Sequence, residues 1–242
     1  PTGKAFNGSG GAWVRQLDTP HDYKMNWGGA SGAANSRPIF DSMKEISAGG
    51  TLRFSGESYA TNGILEYEAR DNKPIIITGV SETDTIIRNS AADFTIQYYG
   101  ETGAGNEVRG GGVFNMKLEK SGGGTCSGVD VANFYRGEVA NIDADLCGNI
   151  GFRIYGRGAG DTDATYGMAI RRCRARSGII GVQITGDTVG SIVVAQITID
   201  DNNLDGNATC GIWVNSADGV LMRRNTLTSC GHTAGATVSG RG

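Results

Sequence analysis

Acidic and basic side chains alternate with small residues at two places in the middle of the chain, and a further aspartate follows. These residues are Asp143 and Asp145, then Arg172, Arg174 and Arg176, and finally Asp200. In an extended strand, a spacing of two residues turns such side chains to one face. Two carboxylates on one face can hydrolyse a glycosidic bond by acid/base chemistry. Arginine can hold acidic groups or hydroxyls beside them.

A repeat in the second half of the chain indicates which elements would carry these groups. The pattern Gly, apolar, polar, apolar occurs at residues 128–131, 151–154, 181–184 and 211–214, with a weaker copy at 235–238. The copies begin 23 to 30 residues apart. Repeats of this length made of short alternating segments are typical of solenoids. The sequence therefore predicts an all-β protein, a single-stranded right-handed parallel β-helix, with Val129, Phe152, Val182 and Ile212 stacked inside.

A second apolar pattern follows each copy and always has spacings of three and then two residues. Its members are Val113, Met116 and Leu118; Val139, Ile142 and Ala144; Ile170, Cys173 and Ala175; Val194, Ile197 and Ile199; and Met222, Asn225 and Leu227. The step of two fits a strand with alternate side chains inward, and the step of three fits a corner. Asn225 breaks the apolar pattern, so it is expected either to bond the backbone from inside or to be an ordinary polar corner residue.

Stacking these strands places the charged side chains in two outward columns. The first column is Lys117, Asp143, Arg174, Thr198 and Thr226, and the second is Glu119, Asp145, Arg176, Asp200 and Thr228. One interpretation is a ladder of exposed ion pairs, each worth at most about 1 kcal/mol. The other is a glycan-binding groove, in which Arg172, Arg174 and Arg176 bind the substrate.

The groove interpretation offers two pairs of catalytic carboxylates. Asp145 and Asp200, two coils apart, would have Cα atoms about 9 to 10 Å apart because adjacent coils are about 4.8 Å apart. That separation is near the upper range for an inverting glycosidase, which needs room for a water molecule. Asp143 and Asp145 would be closer, as a retaining enzyme requires.

Other positions offer further contacts to a substrate or a metal ion. Strand alternation turns Trp213 outward, where it could stack on a sugar or be covered by a neighbouring subunit. Asp161 and Asp163 lie in a long loop that could form the rim of a groove. Asp161 and Asp163, or Asp201 and Asp205, could also bind calcium, but such clusters are common in turns. The sequence predicts no metal site and no cofactor, with calcium left as an option.

Composition narrows the classes of function. The chain has 242 residues and a net charge of −3, which does not indicate nucleic-acid binding. Forty glycines suit the turns between short strands. The five cysteines lack CxxC spacing, so they are expected to be reduced rather than zinc ligands or disulfides. No apolar run is long enough to span a bilayer, so membrane insertion is not expected.

The N-terminal third has a different design. An extension over residues 1–34 is expected to lead into a capping helix at 35–50, followed by the β-helix at 51–242. Asn35 or Ser36 can cap this helix, and an apolar stripe along it would cover the open end of the solenoid. The stripe consists of Ile39, Phe40, Met43 and Ile46. Because a new copy of the repeat begins shortly before residue 242, a further C-terminal portion is expected.

Several N-terminal motifs resemble the opening of pectate-lyase-superfamily β-helix proteins. They are Trp27-Gly-Gly-Ala30, Gly49-Gly-Thr-Leu-Arg-Phe54, Gly56-Glu-Ser-Tyr59 and Ile77-Thr-Gly79. Trp13-Val-Arg-Gln16 is similar to a segment that often precedes this opening in bacteriophage tailspikes and tail fibres. The family usually has Gly-Asp-Gly and Asp-Asp before the helix, whereas this chain has residues 31–37 without a carboxylate.

This resemblance implies a phage tailspike-type protein that binds, and often cleaves, a bacterial capsule or lipopolysaccharide. It also implies a homotrimer located in the virion tail and assembled in the host cytoplasm. Fold alone does not establish catalysis. The alternatives are therefore a noncatalytic glycan-binding or structural module and a calcium-assisted polysaccharide lyase.

Overall fold

A computed structural model describes ten segments of the chain. They are residues 22–28, 35–46, 49–69, 73–91, 94–100, 108–122, 127–145, 148–156, 164–186 and 194–231. Nearly all of the regular structure in them is β-strand, with one α-helix and one 3₁₀ turn.

The elements follow one another along the chain as short strands. The first part contains β1 (Asp22–Lys24), a 3₁₀ turn (Met25–Gly28), α1 (Arg37–Ile46), β2 (Thr51–Arg53), β3 (Ser58–Thr61), β4 (Leu65–Ala69), β5 (Ile76–Thr78), β6 (Ile86–Asn89), β7 (Phe94–Gly100), β8 (Val108–Arg109) and β9 (Gly112–Lys120). The second part contains β10 (Ser127–Ala132), β11 (Phe134–Tyr135), β12 (Glu138–Asp145), β13 (Ile150–Tyr155), β14 (Thr165–Tyr166), β15 (Ala169–Arg171), β16 (Arg174–Arg176), β17 (Ile180–Thr185), β18 (Val194–Ala195), β19 (Thr198–Asp200), β20 (Asn203–Asp205), β21 (Cys210–Asn215), β22 (Leu221–Arg223) and β23 (Thr226–Thr228).

Stacking of these strands forms a right-handed parallel β-helix of about five turns, as the repeat predicts. Sheet A contains β4, β7, β10, β13, β17 and β21, and the short sheet B contains β8, β11, β14 and β18. Sheet C bends at a corner. Its first half contains β1, β2, β5, β15, β19, β22 and the beginnings of β9 and β12, and its second half contains β3, β6, β16, β20, β23 and the ends of β9 and β12.

The predicted interior stack is confirmed by the register of sheet A. Val129 pairs with Phe152, Phe152 with Val182, and Val182 with Ile212, in successive parallel strands. Val129, Phe152 and Val182 are at most 1% exposed. The apolar positions of the repeat therefore form one continuous column along the solenoid axis.

The glycine that opens each copy of the repeat is required by close packing. Gly151 has an ordinary backbone conformation, but a Cβ there would lie 2.5 Å from the Ala175 Cβ and 2.6 Å from the Gly181 carbonyl oxygen. A Cβ at Gly211 would lie 2.7 Å from the Leu227 Cδ2. Sheet A and the second half of sheet C thus approach too closely for any side chain at this position.

The three-residue step in the second pattern is a corner, also as predicted. Asn115, Asn141, Arg172, Asp201 and Arg224 stand between the two halves of sheet C with φ between 50° and 58°. This left-handed conformation is favourable for Asn and Asp among non-glycine residues. A single residue therefore bends the sheet in each coil.

One of the five predicted inward triplets is wrong. Ile170 pairs with Ile199 and Ala175 with Leu204, so the fourth coil contributes Ile199, Asn202 and Leu204 rather than Val194, Ile197 and Ile199. Both triplets have the same spacing. The apolar pattern of the sequence did not reveal the correct one because its middle residue, Asn202, is polar.

Asn202 occupies an inward position because its amide is fully bonded. It is 2% exposed, and its Oδ1 accepts from the Cys173 backbone N–H at 2.9 Å. Its Nδ2 donates to the Ile170 carbonyl at 3.1 Å and to the Asn225 Oδ1 at 2.8 Å. Asn225 in turn donates to the Ile199 carbonyl at 2.8 Å, so of its two predicted roles the backbone-bonding one is confirmed.

The capping helix covers the first coil. The Arg37 backbone N–H donates to the Asn35 side chain at 3.1 Å, and Pro38 lies in the first turn. Phe40 is fully buried, and its ring stacks on Phe54 with centroids 6.4 Å apart. One strand, β1, precedes the helix and pairs with β2, so sheet C begins earlier than the predicted start at residue 51.

Two further predictions are that the cysteines are reduced and that the chain does not insert into a membrane. Cys173, Cys210 and Cys230 are free thiols, whereas Cys126 and Cys147 lie outside the described residues. Within the described segments, no helix has the length and apolar character needed to cross a bilayer.

Candidate functional site

The charged residues singled out in the middle of the chain form a charge ladder on the outer face of the second half of sheet C. The ladder comprises Arg88, Lys117, Glu119, Asp143, Asp145, Arg174 and Arg176. Lys117, Asp143 and Arg174 are directly opposite one another in β9, β12 and β16, and so are Glu119, Asp145 and Arg176. The predicted columns are thus confirmed over these three coils.

Ion pairs connect the charge ladder from coil to coil. The Lys117 Nζ lies 3.1 Å from the Asp145 Oδ2 and also contacts Glu119. The Arg176 Nη2 lies 2.9 Å from the Asp145 Oδ2 and 3.2 Å from the Asp143 Oδ2. The cross-coil ion pairs of the first interpretation are therefore present.

Asp143 differs electrostatically from Glu119, another acid of the charge ladder. Burial raises its pKa above the ordinary value, and this outweighs the attraction of Arg176. Its Oδ1 is buried and has no hydrogen-bond partner. In contrast, hydrogen bonds from Lys117 and Arg88 outweigh burial at Glu119 and lower the pKa of that carboxyl. A raised pKa is what a general acid of a glycosidase requires.

Asp143 and Asp145 are close enough to act on one bond. Their Oδ2 atoms both lie about 3 Å from the same nitrogen of Arg176, so the two oxygens are within about 6 Å of each other. Retaining glycosidases have carboxyl groups about 5 to 5.5 Å apart, and inverting enzymes need about 6.5 to 9.5 Å. Of the two geometries that the sequence left open, retaining and inverting, the arrangement therefore suits the retaining one.

Asp200 does not belong to the same column as Asp145, which corrects the prediction. It pairs with Arg171 and Arg223 in the first half of sheet C, on the other side of the corner. The column position expected for Asp200 is occupied by Asp205, and that expected for Thr198 by Asn203. The error follows from the misassigned triplet of the fourth coil.

Asp200 is instead held by two arginines. Its side chain is 5% exposed, and its Oδ2 lies 3.0 Å from the Arg223 Nη2 and 2.8 Å from the Arg224 Nη2. The hydrogen bond from Arg223 is the main cause that lowers the pKa of this carboxyl, with Arg224 adding to it. An inverting pair of Asp145 and Asp200 is therefore not supported by the register.

Arg172 also lies apart from Arg174 and Arg176. It is the corner residue of its coil, and its Nε donates to the Asn141 Oδ1 at 2.9 Å. Asn141 in turn donates to the Asn115 Oδ1 at 2.8 Å. Of the three predicted substrate-binding arginines, Arg174 and Arg176 belong to the charge ladder. Arg172 belongs to this row of hydrogen-bonded corner residues.

Trp213 lies on the outer face of sheet A, away from the charge ladder. Its side chain is 45% exposed, as strand alternation predicts. It belongs to what we call the sheet A column, formed by the residues that pair in register across this face. They are Glu66, Gln97, Asp130, Arg153, Gln183 and Trp213.

A buried ion pair lies in the middle of the sheet A column. Asp130 is fully buried, and the Arg153 Nε and Nη2 donate to its two carboxylate oxygens at 2.7 and 2.8 Å. Burial raises the pKa of Asp130 even though Arg153 and Gln97 oppose the shift. The Arg153 guanidinium lies 4.6 Å from the centroid of the Phe94 ring and 4.5 Å from that of Tyr155.

The sequence analysis assigned no function to Asp130 and Arg153. The signal that could have singled them out is the polar position of the repeat, which is Asp130 in one copy and Arg153 in the next. Opposite charges at the same repeat position in adjacent coils predict a cross-coil pair.

At the long loop, the predicted absence of a metal site and the calcium option both stay predictions. Asp161 and Asp163 lie outside the described residues. Among the residues that the structure describes, no three His, Cys, Asp or Glu side chains are grouped as a metal site requires. Asp201 is an exposed corner residue, whereas Asp205 lies on β20 next to Arg176.

Comparison with solved structures identifies proteins of the same architecture. ORF18 of Geobacillus virus E2 superposes with a TM-score of 0.53 and 10% sequence identity, over 93% of this chain and 66% of that chain. The A-module of the Azotobacter vinelandii mannuronan C-5 epimerase AlgE4 superposes with a TM-score of 0.50 and 13% identity, over 82% of this chain and 59% of that one. The fold that this chain shares with both structures is a parallel β-helix.

A third structure shows a weaker likeness. PfbA, a surface adhesin of Streptococcus pneumoniae, has a TM-score of 0.39 and 14% identity, over 85% of this chain and 62% of that chain. No protein-family model matches the sequence, and the search of curated proteins gave no match. The chain spans about two thirds or less of the length of each of these structures, and the likeness concerns the fold alone.

Proposed function

We propose that this protein binds a bacterial surface polysaccharide, either capsule or lipopolysaccharide, and hydrolyses it at Asp143 and Asp145. The proposal depends on one observation: two carboxyls bridged by Arg176 lie within about 6 Å of each other, and burial raises the pKa of one of them. A shared fold with a phage protein and with an enzyme named for mannuronan, a polysaccharide, supports the substrate class.

In the proposed reaction, Asp143 is the general acid. Burial raises its pKa, which favours its protonated form, and this carboxyl would transfer a proton to the oxygen of the leaving sugar. Asp145 lies between two cations, Lys117 and Arg176, and is assigned as the nucleophile. Attack by Asp145 forms a glycosyl-enzyme bond, and Asp143 then takes a proton from the water that hydrolyses it. Arg174 is exposed beside Asp143 and is placed to hold the sugar.

The test replaces each acid by its neutral isostere. Asp143→Asn and Asp145→Asn should each reduce the release of reducing ends from host capsule or lipopolysaccharide by about 10² to 10⁴-fold. Asp205→Asn is the matched control, because Asp205 lies on the same face in the coil next to Arg176. It should remain active, and circular dichroism should show that all three variants are folded.

The products distinguish the mechanism. NMR of the first product should show a retained anomeric configuration at the new reducing end. Inversion, an unsaturated product absorbing in the ultraviolet, or full activity of Asp143→Asn would each contradict the assignment.

A noncatalytic glycan-binding or structural module is the second candidate. The observation that favours it is that Glu119, Asp143 and Asp145 all have a cation within 3.2 Å, as structural ion pairs do. It predicts binding of the polysaccharide with no release of reducing ends, and the same assay therefore separates the two functions.

The location and assembly proposed for this function are those of a phage tailspike. The chain would form a homotrimer in the virion tail, after assembly in the host cytoplasm. Light scattering of the purified protein would test the trimer, and antibody labelling of virions would test the location.

A further inference from the structure

We propose that the outer face of sheet A is a second, noncatalytic carbohydrate-binding surface, in which Trp213 provides the platform for a sugar ring. The proposal rests on the proposed function only in taking a polysaccharide as the ligand. It requires no cleavage, and it assigns binding to a face other than the one that carries Asp143 and Asp145.

The chemistry of the exposed groups on this face fits a pyranose. The indole of Trp213 is 45% exposed and offers a flat apolar surface. Gln183 is directly opposite it in the neighbouring coil, and its amide makes no hydrogen bond within the described chain. In the next outward column, Asn215 is exposed and pairs in register with Thr185. A flat ring beside side-chain amides matches a ligand with an apolar face and hydroxyl edges.

The neighbouring part of the face is rigid. Arg153 is fixed by two hydrogen bonds to Asp130 and by two aromatic rings, Phe94 and Tyr155. Gln97 donates to the other side of Asp130 at 3.2 Å. A surface that is ordered before binding loses little conformational freedom when a ligand docks.

The charge of the face argues for a carbohydrate rather than for nucleic acid. Asp130 and Arg153 neutralise each other, and Gln97, Gln183 and Trp213 are uncharged. Backbone phosphates require clustered positive charge, which the sheet A column lacks over its described residues. A protein partner would favour a larger apolar area than a single exposed indole.

The experiment measures binding separately from cleavage. Affinity electrophoresis in gels that contain the host capsule or lipopolysaccharide should show about tenfold weaker retention for Trp213→Ala, the loss expected from removing one aromatic platform. Trp213→Phe should keep most of the affinity, because it retains a ring. Leu221→Ala is the control, since it removes an exposed apolar side chain (52% exposed) from sheet C.

The outcomes separate this proposal from the proposed function. Asp205→Asn should be retained as strongly as the parent chain, because Asp205 lies on sheet C and outside the proposed catalytic pair. Release of reducing ends tests the proposed function and retention tests this surface, so either can fail without the other. Unchanged retention of folded Trp213→Ala would overturn the second surface. So would an equal loss with Leu221→Ala, because the effect would then be a general one of exposed apolar groups.

Discussion

Two buried aspartates on the same sheet respond to their surroundings in opposite directions. Asp143 and Asp200 are both largely buried, but Asp143 shares one arginine with Asp145 whereas Asp200 has Arg223 and Arg224 to itself. Burial is the largest cause at Asp143 and raises its pKa, although Arg176, Arg174 and Lys117 oppose it. At Asp200 the hydrogen bond from Arg223 is the largest cause and lowers the pKa.

This contrast predicts opposite effects of amide substitutions on the free energy of unfolding. Because the folded pKa of Asp143 is raised, its stabilising contribution is full below the unfolded pKa of about 3.9 and is lost as the pH rises through the folded pKa. For Asp200 the contribution is present above about 3.9 and is lost as the pH falls through its lowered folded pKa.

At pH 7, Asp143→Asn should therefore be at least as stable as the parent chain, and Asp200→Asn should be less stable. Both differences should diminish as the pH falls from 7 towards 3, because the carboxylates of the parent chain become protonated in the unfolded state and then in the folded state. Urea unfolding from pH 3 to pH 7 measures this, and a difference of the same sign for both variants would refute the electrostatic account.

At the scale of elements, the glycines of the repeat lie where two sheets pack against each other, and not in turns. Sheet A and the second half of sheet C come together where Gly128, Gly151, Gly181 and Gly211 begin their strands. The conspicuous glycines of the repeat thus reflect packing of two sheets. The sharp corner of sheet C is made by other residues, Asn141 and Arg172 among them.

Gly151→Ala should accordingly destabilise the protein by about 1 to 3 kcal/mol, the usual cost of overpacking. The new Cβ would press on the Ala175 Cβ and on the Gly181 carbonyl oxygen, which is a backbone atom. Gly56→Ala is the matched control: its Cβ would lie 3.4 Å from the nearest atom, and its effect should stay within about 0.5 kcal/mol. Thermal unfolding of the two variants provides the measurement, and equal losses would contradict the packing explanation.

At the scale of the whole molecule, charge alternates from coil to coil along sheet C from β12 onward. One coil carries Asp143 and Asp145, the next carries Arg171 to Arg176, the next Asp200 to Asp205, and the last described one Arg223 and Arg224. In these four coils opposite charges face each other, whereas Glu119 in the preceding coil lies opposite Asp145. A shift by one coil would place like charges together, so the pattern favours the observed register.

A solenoid in which each coil contacts only its neighbours should also open locally. The inward residues Met222 and Leu227 are 46% and 51% exposed, whereas their counterparts Val139 and Ala144 are at most 1% exposed. Amide hydrogens of β22 and β23 should therefore exchange at least about tenfold faster than those of β10 and β13. Peptide-resolved hydrogen exchange would show this, and uniform protection would indicate a cooperative unit instead.

The sequence by itself determined the coil and its interior. Repeated apolar spacing predicted the β-helix, the stacking of Val129 on Phe152, the corner, and the charged columns over three coils, because these features depend on local periodicity that every coil repeats. It failed at the fourth coil, where Asn202 occupies an inward position and no apolar pattern could mark it.

Only the tertiary structure decided which charged groups meet. Registers of neighbouring coils separated Asp200 from Asp145, placed Trp213 on another sheet, and brought Arg153 onto Asp130. Such pairings depend on contacts between residues 23 to 33 positions apart in the chain. Burial, which distinguishes Asp143 from its neighbours, arises only when the coils are stacked, because a strand pattern fixes the face of a side chain and not its access to water.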